Sequence, residues 1–203
     1  MTFQDHLKLA PIGSILVSYG DGPHPAGIKG TLLQIAYNGI RKHQQARYPH
    51  SSKTDGVHVQ IKVGYFEWVS AEFPEVTLET QPAAEGRKYR LYRYSFDLDS
   101  YAHDRLREYA LAMVGKQYDT LQLVGIATNQ QKWIPKFMRT WLSHRLQLPG
   151  RKEVCSTLCH RALLAAARGT AGHRPLGNID PFDACPADFE HHPTFQLLAE
   201  INT

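Results

Sequence analysis

A chain of 203 residues with 42% hydrophobic residues is long enough to bury a core, so the composition excludes a disordered chain and predicts one folded domain. The net charge of +4 comes from basic residues spread between Lys29 and Arg174, a distribution too diffuse to indicate nucleic-acid binding. Three cysteines in a chain of this length do not make a disulfide scaffold, and they suit a reducing compartment.

The N-terminal segment lacks a basic start followed by an unbroken apolar stretch, so the sequence predicts no signal peptide. No apolar run approaches the roughly 20 residues that cross a bilayer. We therefore expect a protein that is synthesised in the cytoplasm, and any action outside the producing cell would require another delivery route.

Hydrophobic periodicity divides the chain into strands and helices. Strands are predicted where short apolar or alternating runs end at turn residues, at 11–20, 57–63, 65–73 and 88–96. Helices are predicted where apolar residues recur at helical spacing, at about 28–46, from Asp99 or Ser100 to 115, at 132–146 and over 155–169. Residues 169–193 are rich in turn formers and predict loops. The basic, aromatic helix at 132–146 is expected to pack on its own domain more readily than on a membrane.

The segment 57–63, VHVQIKV, alternates between an apolar face and a polar face that carries His58, which predicts a half-buried strand. The apolar residues of 65–73 reach the same core if a three-residue loop, 64–66, joins the two strands. This register sets His58 directly opposite Glu72. Opposed strand residues have Cβ atoms about 5 Å apart, so the carboxylate can orient the imidazole and stabilise its charged form.

The stretch EVCSTLCHRALLAAARG, residues 153–169, places Cys155 at the N-terminus of a helix. Backbone N–H groups and the helix dipole favour an anion there, so we expect a thiol pKa below the free value of about 8.5. Cys155 is therefore placed as a nucleophile would be. Cys159, one turn further on, is expected to be a small core residue, and His160 is expected at the surface.

Other interpretations of these residues remain open. Cys155 alone could be structural, His58 a surface histidine and Glu72 a solvated carboxylate. A zinc site or a redox pair would require ligands in tetrahedral reach or a C-x-x-C spacing that the chain lacks, and residues at adjacent helical positions point about 100° apart. The ligands that a zinc site could draw on are Cys155, Cys159, His160 and Cys185, with His191 and His192. We accordingly expect no metal and no cofactor.

Taken in order, six short stretches give the chain a resemblance to the circularly permuted papain-like hydrolases of the NlpC-type superfamily, particularly the YiiX-like branch. They are PIGSILV, DGVHVQIKVG, WVSAEF, ALAMVGKQYD, VCSTLCHRAL and DACPADF. The resemblance implies an α+β, permuted papain-like fold in which a small antiparallel sheet packs against the nucleophile-bearing helix, with additional helices. It implies a single domain over 1–203 with variable insertions near 30–55 and 129–150. The family's first strand usually opens with Gly-Asp, whereas Ser14 follows Gly13 here.

The same resemblance implies Cys155 as nucleophile, His58 as general base and Glu72 as the third, polar residue. The expected reaction is hydrolysis of an amide in a peptide or peptidoglycan fragment, by a delivered antibacterial effector or a virion component. The alternatives are an acyl-lipid enzyme of the lecithin retinol acyltransferase type, which would contact a membrane surface, and a non-enzymatic binding module. An inhibitor or immunity protein is a further partner consistent with a delivered enzyme, and nucleic acid is not expected.

Overall fold

The computed structural model of the protein describes residues 2–19, 28–72, 74–80, 88–118, 152–168 and 173–202. Within these residues the architecture is α+β, with five α-helices and a six-stranded antiparallel sheet. The α+β class and the small antiparallel sheet predicted from the sequence are therefore confirmed. The predicted helix at 132–146 and the insertion expected near 129–150 lie outside the described residues.

The described residues form eight strands, five α-helices and one 3₁₀ turn. In chain order they are α1 (Phe3–Leu9), β1 (Ile15–Tyr19), α2 (Ile28–Arg47), β2 (Gly56–Lys62), β3 (Trp68–Ala71), β4 (Val76–Glu79), β5 (Lys88–Tyr94), α3 (Ser100–Leu111), β6 (Gln117–Tyr118), β7 (Lys152–Glu153), α4 (Cys155–Ala166), a 3₁₀ turn (Pro181–Asp183), α5 (Pro186–His191) and β8 (Phe195–Asn202). The sheet order is β4-β3-β2-β1-β5-β8, and β6 pairs with β7 in a separate parallel pair.

The predicted strands and helices that fall within the described residues are present, and their ends follow local signals. The Asp99 side chain caps α3 by accepting a hydrogen bond from the Ala102 main chain at 2.7 Å. Gly115 follows that helix with a φ of 79°, a conformation that favours glycine. The segment expected to be loop, 169–193, contains the 3₁₀ turn and α5 where it is described, so that expectation was incomplete.

Strand β2 lies near the centre of the sheet and is buried on both faces, so the prediction of a half-buried strand was wrong. Val59 and Ile61 join a core cluster with Leu158 of α4. On the other face, the Lys62 ammonium donates hydrogen bonds to main-chain oxygens at the C-terminal end of α1. That helix end offers carbonyl groups with no helical partner, and they satisfy a lysine that the alternation pattern assigned to solvent.

Helices α2 and α5 meet at the beginning of β2. The Gln44 side-chain amide donates to the main-chain oxygens of Thr54 and Gly56 at 2.9 and 2.8 Å, and its oxygen accepts from Ala187 at 2.7 Å. Because one buried amide joins three segments, it holds this end of the sheet against the two helices. No helix among the described residues combines the length and the apolar character needed to cross a membrane.

Candidate functional site

The β2–β3 hairpin has the register predicted from the sequence. Ile61 pairs with Val69, and the same register sets His58 opposite Glu72. The His58 Nε2 atom lies 3.3 Å from the Glu72 Oε1 atom. His58 is buried, whereas 43% of the Glu72 side chain is exposed. Glu72 therefore lies between the buried imidazole and solvent.

Ser70 is a second partner of His58 that the sequence analysis missed. Its hydroxyl lies 2.8 Å from the His58 Nε2 atom and also accepts a hydrogen bond from the Gln60 side chain at 3.3 Å. The predicted register could have identified this contact. Ser70 precedes Glu72 by two residues, so both side chains lie on the same face of the hairpin, and Ser70 is the diagonal neighbour of His58. The hairpin therefore holds the imidazole through two polar side chains.

Cys155 is the first residue of α4, as predicted, but its surroundings differ from the expectation. Only 2% of the residue is exposed. Burial raises the pKa of the thiol to about 11, although main-chain hydrogen bonds from Val59 and Ser156 act in the opposite direction. The expected pKa below the free value was wrong, since loss of hydration outweighs the N–H groups at the helix start.

The fold brings the three predicted site residues to one end of the sheet. Val59, whose main chain hydrogen bonds to the Cys155 thiol, directly follows His58 in β2. Glu72 contacts His58 and is close enough to Cys155 for its negative charge to raise the thiol pKa further. Glu72 therefore contacts the imidazole and lies within electrostatic range of the thiol.

A small cavity opens beside the thiol, between α2, the start of α4 and the start of α5. The described residues that line it are mostly apolar: Ile40, His43, Val154, Cys155, Ser156, Ala184, Cys185 and Pro186. His43, which the sequence analysis did not single out, hydrogen bonds to the Asp183 main chain, and burial together with the Arg47 charge lowers its pKa. A largely neutral imidazole therefore borders the cavity near neutral pH.

Cys159 and His160 follow Cys155 in α4, and the structure confirms the predicted burial of the first but not the predicted exposure of the second. Cys159 is fully buried in the core, as expected. His160 was expected at the surface, but it is only 1% exposed, and neither ring nitrogen has a hydrogen-bond partner in the part of the chain that the structure describes. Burial lowers its pKa to about 4. The correction arises because the turn and α5 that follow cover this face of α4, contacts that helical periodicity does not reveal.

The candidate zinc ligands are not assembled into a site. Cys155, Cys159 and Cys185 are free, buried thiols. Among the described residues, no group of three or more histidine, cysteine, aspartate or glutamate side chains has an arrangement that could hold a metal ion. The chemistry available here is that of a nucleophile, a base and a group that orients the base.

Comparison with protein-family models, curated proteins and solved structures finds no match to this chain.

Proposed function

We propose that the protein is a cysteine hydrolase that cleaves an amide bond in a peptide, with Cys155 as nucleophile, His58 as general base and Glu72 as the residue that orients the base. The observation that carries the proposal is the 3.3 Å contact between His58 and Glu72 beside the N-terminus of the Cys155 helix. Nucleophilic cysteine catalysis requires a base near the thiol and a third group that fixes the base.

The raised thiol pKa determines how the first step proceeds. Cys155 rests as a neutral thiol because its pKa is about 11, so His58 removes the proton as the sulfur attacks the substrate carbonyl. Ser70 and Glu72 both contact the Nε2 atom of His58. The nitrogen that receives the thiol proton is therefore Nδ1, and the imidazolium that forms is stabilised by the Glu72 carboxylate.

The remaining steps return the enzyme to its starting state. The carbon–sulfur bond forms, and the resulting oxyanion is stabilised by main-chain N–H groups at the start of α4, a contribution that can reach about 3 kcal/mol in such sites. The imidazolium gives its proton to the leaving amine as the carbon–nitrogen bond breaks, which leaves a thioester on Cys155. His58 then activates a water molecule, the acid product leaves, and the thiol regains its proton.

The resemblance to permuted papain-like hydrolases supports a peptidoglycan peptide as the substrate, cleaved by a delivered effector or a virion component. The order of the three residues along the chain, histidine, glutamate and then cysteine, is the order of that permuted family. On this proposal the fold is the permuted papain-like fold, whose sheet packs against the nucleophile-bearing helix.

An acyl-lipid substrate is the second candidate, and one observation favours it. The cavity beside the thiol has mainly apolar walls, including Ile40, Val154 and Pro186, and its volume of about 10 Å³ admits only a small apolar group, such as the end of an acyl chain. The covalent chemistry is the same for both substrates, because each passes through a thioester on Cys155.

The experiment is to incubate the purified protein with peptidoglycan fragments and, separately, with phospholipids and short acyl esters. We expect Cys155→Ala to lose at least about 10³-fold in rate on whichever substrate the protein cleaves. Cys159→Ala is the matched control, since it removes a buried thiol one helical turn away and should retain activity. Full activity in Cys155→Ala would refute the hydrolase proposal, and turnover of neither substrate class would favour a binding module.

A further inference from the structure

A second, larger groove lies between the C-terminal ends of α2 and α5. It has a volume of about 540 Å³, within the range of small-molecule sites. The described residues that line it are Arg47, Tyr48, Pro49, His50, Ser51, Ser52, Lys53 and His191. None of them is acidic, whereas two are cationic and two carry imidazoles. The lining therefore combines positive charge with N–H and O–H donors, the chemistry that binds an anion.

The two cations of this groove differ in how far carboxylates neutralise them. Among the described residues, Lys53 makes no ion pair. Arg47 does pair with Asp188 at 2.7 Å, but the Asp188 side chain is fully buried, whereas 28% of the Arg47 side chain is exposed. Asp188 also accepts hydrogen bonds from the Tyr48 hydroxyl and the Cys185 main chain, each at 2.7 Å. The buried Asp188 carboxylate thus fixes the position of the Arg47 guanidinium, which remains partly exposed in the groove.

The groove is also held in shape before any ligand arrives. The Tyr48 and His191 rings stack with centroids 4.2 Å apart. The Nε2 atom of His191 is buried and has no hydrogen-bond partner among the described residues. The Ser51 hydroxyl accepts a hydrogen bond from the Lys53 main chain at 2.9 Å and fixes the loop that carries the lysine. Such preorganisation reduces the entropic cost of binding.

The groove and the thiol cavity lie along the same pair of helices. Ile40 and His43 of α2 line the thiol cavity, and Arg47, on the same helical face, lines the groove. The helix rise places the two ends of this row about 10 Å apart. On α5, Pro186 borders the cavity and His191 borders the groove. An extended substrate lying along α2 and α5 would reach both the thiol cavity and the groove.

We propose that this groove is an anion subsite, which binds a carboxylate or phosphate group that the substrate carries away from the bond cleaved at Cys155. Its role as a substrate subsite rests on the proposed hydrolase function, whereas anion binding itself does not. The inferred substrate class is therefore an amide or acyl compound with an uncharged reacting centre and an acidic group further along the molecule.

The first test uses full-length Cys155→Ala protein titrated with inorganic phosphate and, separately, with glutarate, at constant ionic strength. Changes in the NMR signals of the histidine rings report binding. We expect saturation at millimolar concentrations and a dissociation constant at least about fivefold higher in Lys53→Gln. Lys42→Gln is the matched control, because it removes the same charge from an exposed position of α2 that does not line the groove.

The outcomes separate a built site from diffuse charge. Saturable binding that Lys53→Gln weakens and Lys42→Gln preserves supports the proposal, and the tighter of the two probes identifies the carboxylate or the phosphate as the better ligand. Equal weakening in both variants, or no saturation below about 50 mM with either probe, overturns it.

A kinetic measurement then tests the link to catalysis. With paired substrates that differ only in one acidic group, Lys53→Gln should raise the KM for the acidic member and leave kcat unchanged, because the contact is equally strong in ground and transition states. Retained hydrolysis without this selective change would overturn the subsite alone. Retained anion binding without any hydrolysis would overturn the proposed function and leave an anion site.

Discussion

The β2–β3 hairpin and the helix α4 each carry a buried histidine, and the two rings are in opposite situations. His58 of the hairpin contacts Ser70 and Glu72. His160 of α4 is also buried, but its ring nitrogens have no hydrogen-bond partner among the described residues. The hairpin therefore offers polar partners to its imidazole, whereas burial holds the His160 ring in its neutral form.

The same difference extends to the nucleophile. The surroundings of α4 hold the Cys155 thiol in its neutral form by burial. On the proposed mechanism, the activation of the sulfur comes from the hairpin, through a proton transfer to His58. The proposed site thus joins an apolar half, which carries the thiol, to a polar half, which carries the base.

The largest effect is expected from removing the base. His58→Ala should lower the hydrolysis rate by about 10²–10⁴-fold, because the thiol would lose the general base that the proposed mechanism assigns to it. The measurement is the hydrolysis rate on whichever of the peptidoglycan, phospholipid or acyl-ester substrates the parent protein cleaves. His103→Ala, on α3 away from the site, is the control. Nearly normal activity in His58→Ala would show that His58 is not the general base. His43, which borders the thiol cavity, would then be the next residue to substitute.

The second prediction concerns the unpartnered histidine. The pKa of His160 is about 4 in the folded protein, against about 6.5 in an unfolded chain. Between these values the unfolded state binds more protons, so stability is complete above about pH 6.5 and falls as the pH approaches 4, by up to roughly 3 kcal/mol. Urea unfolding at several pH values measures this loss.

Two variants isolate the contribution of that ring. His160→Leu and His160→Asn both lack a titratable group, so the free energy of unfolding of each should depend less on pH over this range than that of the parent. The absolute stabilities of the two variants will differ, because one replacement is apolar and the other polar. An unchanged pH slope in both would show that His160 is not the group responsible.

These two histidines also show what the sequence could predict. The hairpin register depends on alternation and loop length within a short segment, so the pairing of His58 with Glu72 followed from local information alone. The burial of His160 depends on residues that arrive later in the chain, the 3₁₀ turn and α5. That segment has little periodicity and is rich in turn formers, so its position over α4 could not be predicted.

The thiol pKa was mispredicted for a related reason. The position of Cys155 at a helix start is local, and the sequence indicated it correctly. Its hydration is not local, because it depends on how closely α2, the sheet and α5 surround that helix start. Lys62 is a similar case, since the main-chain oxygens that satisfy it come from α1, a helix the analysis did not predict.

Substitution of the Glu72 carboxylate should change two rates in opposite directions, the rate of hydrolysis and the rate of Cys155 labelling. Glu72→Gln removes the charge that stabilises the His58 imidazolium, so hydrolysis should fall by about tenfold. The same charge raises the pKa of the Cys155 thiol, so its removal should increase the rate of iodoacetamide labelling of Cys155 at alkaline pH. Glu75→Gln, at an exposed neighbouring position, should change neither rate. Parallel changes in both rates would contradict the assigned role.

The smallest predicted effect comes from Ser70, which contacts His58 without carrying a charge. Ser70→Ala removes a hydrogen bond of about 1 kcal/mol and should lower kcat roughly fivefold. If the hydroxyl orients the ring, the pH at which kcat reaches half its maximum should shift as well. Ser18→Ala is a closely matched control, because Ser18 pairs with His58 across β1 and β2, but its buried hydroxyl has no hydrogen-bond partner within the described ranges. Equal losses in the two variants would reduce the role of Ser70 to packing, whereas a selective loss would show that the hairpin's polar contacts set the proton affinity of the base.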